Sequence, residues 1–264
     1  MTTPVVAAIT AASTLAWIAP GSFAQSDTFN DNLIGPAWSL LQDAPSELSL
    51  SETNGRVEIT ASSPTSPNTD ALYLSTGPDG FRMATDSDFE ITLDYHLGGY
   101  DSSAATIGDL LGLTFGVGRD LDGTDSAAIG FAVSRQLLMG FLPVTTTALG
   151  AAHRTDDAQS STVLSVPGSI TGTFRIAYDT AGDDLTLGVN GDTFILEDTV
   201  QTIWDADDLL VSFGVRGNGF SLNTGETYLD NFTVVSGHVI PEPASAALLL
   251  APMAGLLMKR RRTL

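Results

Sequence analysis

Cysteine is absent from the 264 residues, so no disulfide can staple the fold and no thiolate can complete a histidine metal site. Stability must come from an apolar core, and a domain of about 200 residues is large enough to build one. Lysine occurs once, at Lys259, and the chain has 11 basic against 31 acidic residues for a net charge of −20. The span Gln25 to Ile240 holds 7 Arg and 30 acids, 7 − 30 = −23, while Lys259, Arg260, Arg261 and Arg262 stand together near the C-terminus. Such a surface repels nucleic acid and anionic lipid, so neither is expected as a partner, and it suits salty water or divalent cations. The three histidines, His96, His153 and His238, are isolated from one another, and zinc is not expected. No Gly-x-Ser-x-Gly elbow is present to raise a nucleophilic serine. Gly116 to Gly118 falls in a strand-like run with no helix after it, so it is not a phosphate loop.

Both ends carry features of transport rather than of a fold. An apolar run from Val5 to Ile18 leads to Ser22-Phe23-Ala24, with small residues where a leader peptidase would cut after Ala24. The run lacks the usual basic residue before it. At the other end come Pro241-Glu242-Pro243, an uncharged stretch Ala244 to Met258, and the basic cluster. As a helix that stretch would reach ~22 Å against a ~30 Å hydrocarbon core, a thin anchor whose cationic end stays cytoplasmic. This order resembles the PEP-CTERM sorting signal of Gram-negative and related bacteria. The resemblance implies export by the secretion machinery, a transient transmembrane helix in the inner membrane, and cleavage by an exosortase near Pro241-Glu242-Pro243. Its destination would be the cell envelope, outer surface or extracellular matrix. The expected organisation is a signal peptide over 1–24, one domain over 25–237 and the sorting signal over 238–264.

Between the ends, short runs alternate apolar and polar residues and are broken every 8 to 12 residues by Gly, Asp, Asn, Ser or Pro. Strands are expected at Arg56 to Ala61, Ala71 to Ser75, Asp88 to Leu97, Leu110 to Gly118, Ala127 to Ser134, Gly172 to Asp179, Asp184 to Val189, Leu209 to Arg216 and Thr227 to Val235. Asn190-Gly191 is the strongest hairpin signal, because a type I′ turn needs positive φ at both central positions. Only Asp198 to Asp205 has room for a helical turn. The order of Asp27-Thr28-Phe29-Asn30, Trp38, Gly55-Arg56-Val57, Asp88-Phe89-Glu90, Leu113 to Val117, the hairpin and Tyr228 to Val234 resembles the concanavalin-like or laminin-G-like jelly roll. That resemblance implies an all-β, two-sheet antiparallel sandwich whose members mostly bind glycans or proteins, often with calcium, and less often cleave polysaccharides.

Laminarinase-type members carry Glu-x-Asp-x-x-Glu on one strand, but counting from Glu90 the matching positions are Thr92 and Tyr95. No catalytic residue is therefore expected, and Glu90 and Asp94 read as the solvated face of an amphipathic strand. Asp120, Asp122, Thr124 and Asp125 could offer oxygens to Ca2+ from one short loop. A full EF-hand is excluded, since its Gly and Glu positions hold Asp125 and Phe131, and an acidic hairpin turn is the plainer reading. Asp27 with Asp230 could hold a second calcium between the first and last strands, with capping or turn roles as the alternative. Tyr73, Tyr100 and Trp204 are the aromatic candidates for stacking on a sugar ring, Tyr100 foremost, while Trp38 and Phe89 read as core. The expected function is an exported carbohydrate- or matrix-binding module without catalysis; the alternative is a secreted glycan hydrolase or lyase of the same fold. A purely structural coat protein also fits the sequence.

Overall fold

The computed structural model describes residues 26–67, 69–120, 123–165 and 170–241. Ala24, Asp122, Glu242, Pro243, Arg260, Arg261 and Arg262 lie outside them, as do the expected signal peptide and C-terminal helix. Nineteen strands follow along the described residues: β1 Ser26–Asp27, β2 Ser39–Gln42, β3 Leu48–Thr53, β4 Arg56–Ser62, β5 Asp70–Leu74, β6 Phe81–Ala84, β7 Phe89–Leu97, β8 Tyr100–Asp101, β9 Leu110–Gly118 and β10 Ser126–Leu138. After them come β11 Leu142–Thr155, β12 Ala158–Ser165, β13 Thr171–Asp179, β14 Asp184–Val189, β15 Asp192–Leu196, β16 Asp208–Gly217, β17 Ser221–Leu222, β18 Thr227–Ser236 and β19 Val239–Pro241. A ten-stranded sheet runs β15-β14-β13-β7-β18-β4-β17-β8, with β1 on β18 and β3 on β4. A nine-stranded sheet runs β12-β11-β10-β9-β16-β5-β2, with β6 on β16 and β19 on β6. All pairings are antiparallel. The chain is thus the expected all-β two-sheet sandwich.

Period-two alternation decides which side chains enter the core. Along β7, Phe89, Ile91, Leu93, Tyr95 and Leu97 are buried and the residues between them are half-exposed. Inward residues of both sheets form one core, in which the Trp38 ring meets Phe213 at 4.7 Å, Phe232 at 5.1 Å and Phe81 at 5.4 Å in edge-to-face contacts. Tyr95 stacks on Phe174 at 4.3 Å towards β13.

Asn190 and Gly191 take φ of 50° and 96° and close the β14–β15 hairpin as expected. Residues Asp198 to Asp205 form turns without a helix. The Asp183 carboxylate accepts the N–H groups of Gln201 and Thr202, each at 2.8 Å, and fixes those turns. The sandwich also runs beyond Gly237, because Val239–Pro241 pairs with β6. Pro241 is the last residue of that short strand, which pairs on one side only among the described residues, a setting that tolerates a missing N–H. Among the described residues, no helix is long and apolar enough to cross a membrane.

Candidate functional site

The nine-stranded sheet turns one face to the core and the other to a groove. Inward from β9 and β10 point Leu111, Leu113, Phe115, Val117, Ala127, Ile129, Phe131 and Val133, all buried. The alternate, outward positions are Gly112, Thr114, Gly116 and Gly118 on β9, opposite Ala132, Gly130, Ala128 and Ser126 on β10. Every one of them is small. A Cβ added at Gly112 would stand 2.8 Å from that of Ala132, and one at Gly116 would stand 3.0 Å from that of Ala128. Opposed Cβ atoms are ordinarily about 4.5–5.5 Å apart, so the outward positions converge and this face is concave.

The groove on this face, about 230 Å³, is lined by Leu41, Leu72, Leu74, Leu210, Thr114, Ser126 and Ala128, with Asp70, Arg216, Asp120 and Arg154 supplying charge. Its lining draws on β2, β5, β16, β9, β10 and β11, and five steps of about 4.8 Å between those strands give a width of about 24 Å. Arg216 grips Asp70 through two bonds of 2.6 Å, and this pairing, opposed by burial, holds the guanidinium above its usual range. Arg154 donates to Gln159 at 3.3 Å.

Apart from Asp120, the expected site residues among the described ones fall outside the groove. Asp120 lines the groove and accepts from Thr124 at 3.4 Å. Asp125, however, turns to the β11–β12 corner, accepting the N–H of Asp156 at 3.0 Å and lying 3.6 Å from Arg119. Asp27 accepts from Trp38 Nε1 at 3.0 Å and from the N–H of Phe29 at 2.9 Å. Asp230 instead stands opposite Asp94 on the outer face of the ten-stranded sheet, apart from Asp27, which belongs to the same sheet but pairs with Phe232. Among the described residues, no group of three or more acidic or histidine side chains is placed to hold a metal ion.

Tyr100 is exposed at the edge of the ten-stranded sheet, its ring edge-on to Phe220 at 6.5 Å. Two aromatic expectations need correcting. Trp204 is fully buried, its Nε1 donating to Thr155 at 3.3 Å, and Tyr73 is a core residue; neither can stack on a sugar. Glu90 is paired with Arg175 at 2.7 Å, and Asp94 accepts from Thr173 at 2.6 Å, both on the outer face of the ten-stranded sheet.

Beside Trp38 lies a second, acidic pocket lined by Asp27, Asp31 and Asp79. Glu52 is buried next to it, with Oε1 lacking a hydrogen-bond partner. Burial, then a hydrogen bond with Asp31 and the charges of Asp27 and Asp31, pushes its carboxyl up to about 7.

No family model matches the sequence, and no curated sequence does. Solved structures do resemble the fold. A glycoside hydrolase family 16 endo-glucanase from Bacteroides ovatus is 14% identical over 79% of this chain and 96% of its own, with a TM-score of 0.48. An endo-1,3-beta-glucanase from Streptomyces sioyaensis is 14% identical over 82% and 93%, with a TM-score of 0.48. The CBM2 module of the evolved Dit of Lactobacillus casei BL23 phage J-1 is 11% identical over 83% and 95%, with a TM-score of 0.49. At such identity the likeness concerns the fold alone. It corrects one expectation all the same: a chain path found in two glucanases does not imply a domain without catalysis, and that reading is withdrawn.

Proposed function

We propose that this chain is an exported, glycan-directed protein whose concave groove receives a stretch of extracellular polysaccharide. One observation carries the reading: a groove about five strand spacings wide, floored by Gly, Ala, Ser and Thr of β9 and β10 and flanked by leucine side chains and the charged groups of Asp70, Arg216, Asp120 and Arg154. A flat chain of sugar rings needs such a bed, with apolar surface for its C–H faces and polar groups for its hydroxyls. Two basic and two acidic side chains in the lining favour a neutral glycan over an acidic one. A second reading, hydrolysis or lysis of that glycan, is favoured by Asp70 and Asp120 lining the same groove, since glycosidic cleavage commonly uses two carboxyl groups. Delivery would follow the terminal segments: release after Ala24, a transient inner-membrane anchor, and exosortase processing at Pro241-Glu242-Pro243.

The test is a panel of neutral and acidic polysaccharides scored both for binding and for release of reducing ends. Ala128→Trp, which fills the groove from its floor, is expected to weaken binding of a neutral glycan at least tenfold without moving the unfolding midpoint. Asp70→Asn and Asp120→Asn separate the two readings: both retain binding, and any cleavage falls with them. Equal binding by the Trp variant would remove the groove from the account.

A further inference from the structure

The β10–β11 hairpin outruns its neighbours. β9 pairs with β10 only as far as Ser134, and β12 pairs with β11 only from Leu149, so the ribbon between them projects alone. Its tip is closed by Met139 and Gly140, both at positive φ, with the N–H of Phe141 bonded to the Leu138 carbonyl at 3.3 Å. Asn is the usual first residue of such a turn, and here a long apolar side chain takes its place. Leu137, Leu138, Met139, Phe141 and Leu142 are all exposed, Met139 at 82% and Phe141 at 74%.

We propose that this tip inserts into the interface of a zwitterionic lipid bilayer. Leu137 and Leu138 are successive residues of one strand and point to opposite faces, so the apolar surface encircles the ribbon. A flat partner surface would cover one face; acyl chains and headgroups cover both. The charge pattern agrees. None of the 31 acidic residues falls between Ser126 and Thr155, although the chain as a whole carries −20. Arg135 stands at the base of the ribbon, bonded to Thr145 at 2.8 Å. It lies four steps before Met139, about 13 Å of strand, which places the guanidinium at phosphate depth when the tip meets the acyl boundary. Depth is limited, because beyond Arg135, whose N–H and carbonyl bond Asp109 and Gly108, the outer backbone edges of the ribbon have no partner among the described residues, and such groups are not tolerated in hydrocarbon. The acidic remainder of the domain repels an anionic leaflet, which selects the zwitterionic one. The tip lies at the end of β10 opposite Ser126, at the far end from the strand that leads to the C-terminal segment.

The chain has no cysteine, so a single one introduced at Met139 carries an environment-sensitive fluorophore uniquely in the full-length protein. A second labelled protein, Asp192→Cys at the exposed start of β15, is the reference. With phosphatidylcholine vesicles the label at 139 is expected to shift to the blue and that at 192 to stay unchanged, and Phe141→Asp is expected to abolish the shift. Vesicles rich in phosphatidylglycerol are expected to give a smaller shift. A label at 139 that stays in water while the protein floats with the vesicles would overturn the proposal. So would a vesicle-free shift that grows with protein concentration, which would assign the tip to a second copy of the chain.

Discussion

Glu52 is the residue whose environment departs furthest from that of an ordinary carboxylate. It lies on β3 beside Tyr73, Asp27 and Asp31, with no cation among the groups that act on it. In the unfolded chain it loses its proton near 4.5, whereas in the folded chain it keeps it up to about 7. Across that window the native state binds more protons than the unfolded one, so its contribution to stability falls as pH rises. Glu52→Gln mimics the protonated form and is expected to flatten this part of the profile, so that the midpoint falls less between pH 5 and pH 8 than in the parent protein. Thermal unfolding at the two values checks it, and equal slopes would refute the assignment. Single residues are also where reading the sequence went most astray. Trp204 sits between Ile203 and Asp205 in a stretch rich in aspartate, which reads as exposed loop. Its burial depends on Thr155 and Arg119, distant in sequence, which bond its Nε1 and its carbonyl.

Local pattern served the elements better. The Asn190-Gly191 turn was legible because positive φ is a property of two residues rather than of their surroundings. Space is open around the position a Cβ would take at Gly191, so Gly191→Ala tests the backbone alone. At a φ of 96° it is expected to cost about 1–2 kcal/mol, measured by denaturant titration. The alternating runs gave β7, β13 and β14 to within a residue or two of their ends. β11 and β12 were not legible, for a physical reason. In β11 only Leu149 and Ala151 are buried, and β12 has no buried residue, so no apolar alternation marks either strand. The groove floor left a trace, the small residues at every second position of β9 and β10. Nothing in those residues says that the face they occupy is concave.

For the whole molecule, charge dominates. The ion pairs of Arg56, Arg82, Arg119, Arg175 and Arg216 offset only a few of the acids. Self-repulsion therefore opposes the compact state, and salt that shortens the screening length from about 30 Å at 0.01 M to about 3 Å at 1 M relieves it. The unfolding midpoint is expected to rise with sodium chloride over that range, and a flat or falling dependence would show that the acids are too dispersed to matter. The sequence by itself determined the all-β class, nine of the nineteen strands, the hairpin turn and the acidic surface, because each follows from composition or from a spacing of a few residues. Tertiary structure decided that Asp27 and Asp230 part company, that Trp204 is core, that six strands assemble a groove and that one hairpin stands clear of its sheet. Those outcomes depend on contacts and pairing lengths that no local pattern fixes, and for the strand residues among them a one-residue change of register would turn the side chain to the opposite face.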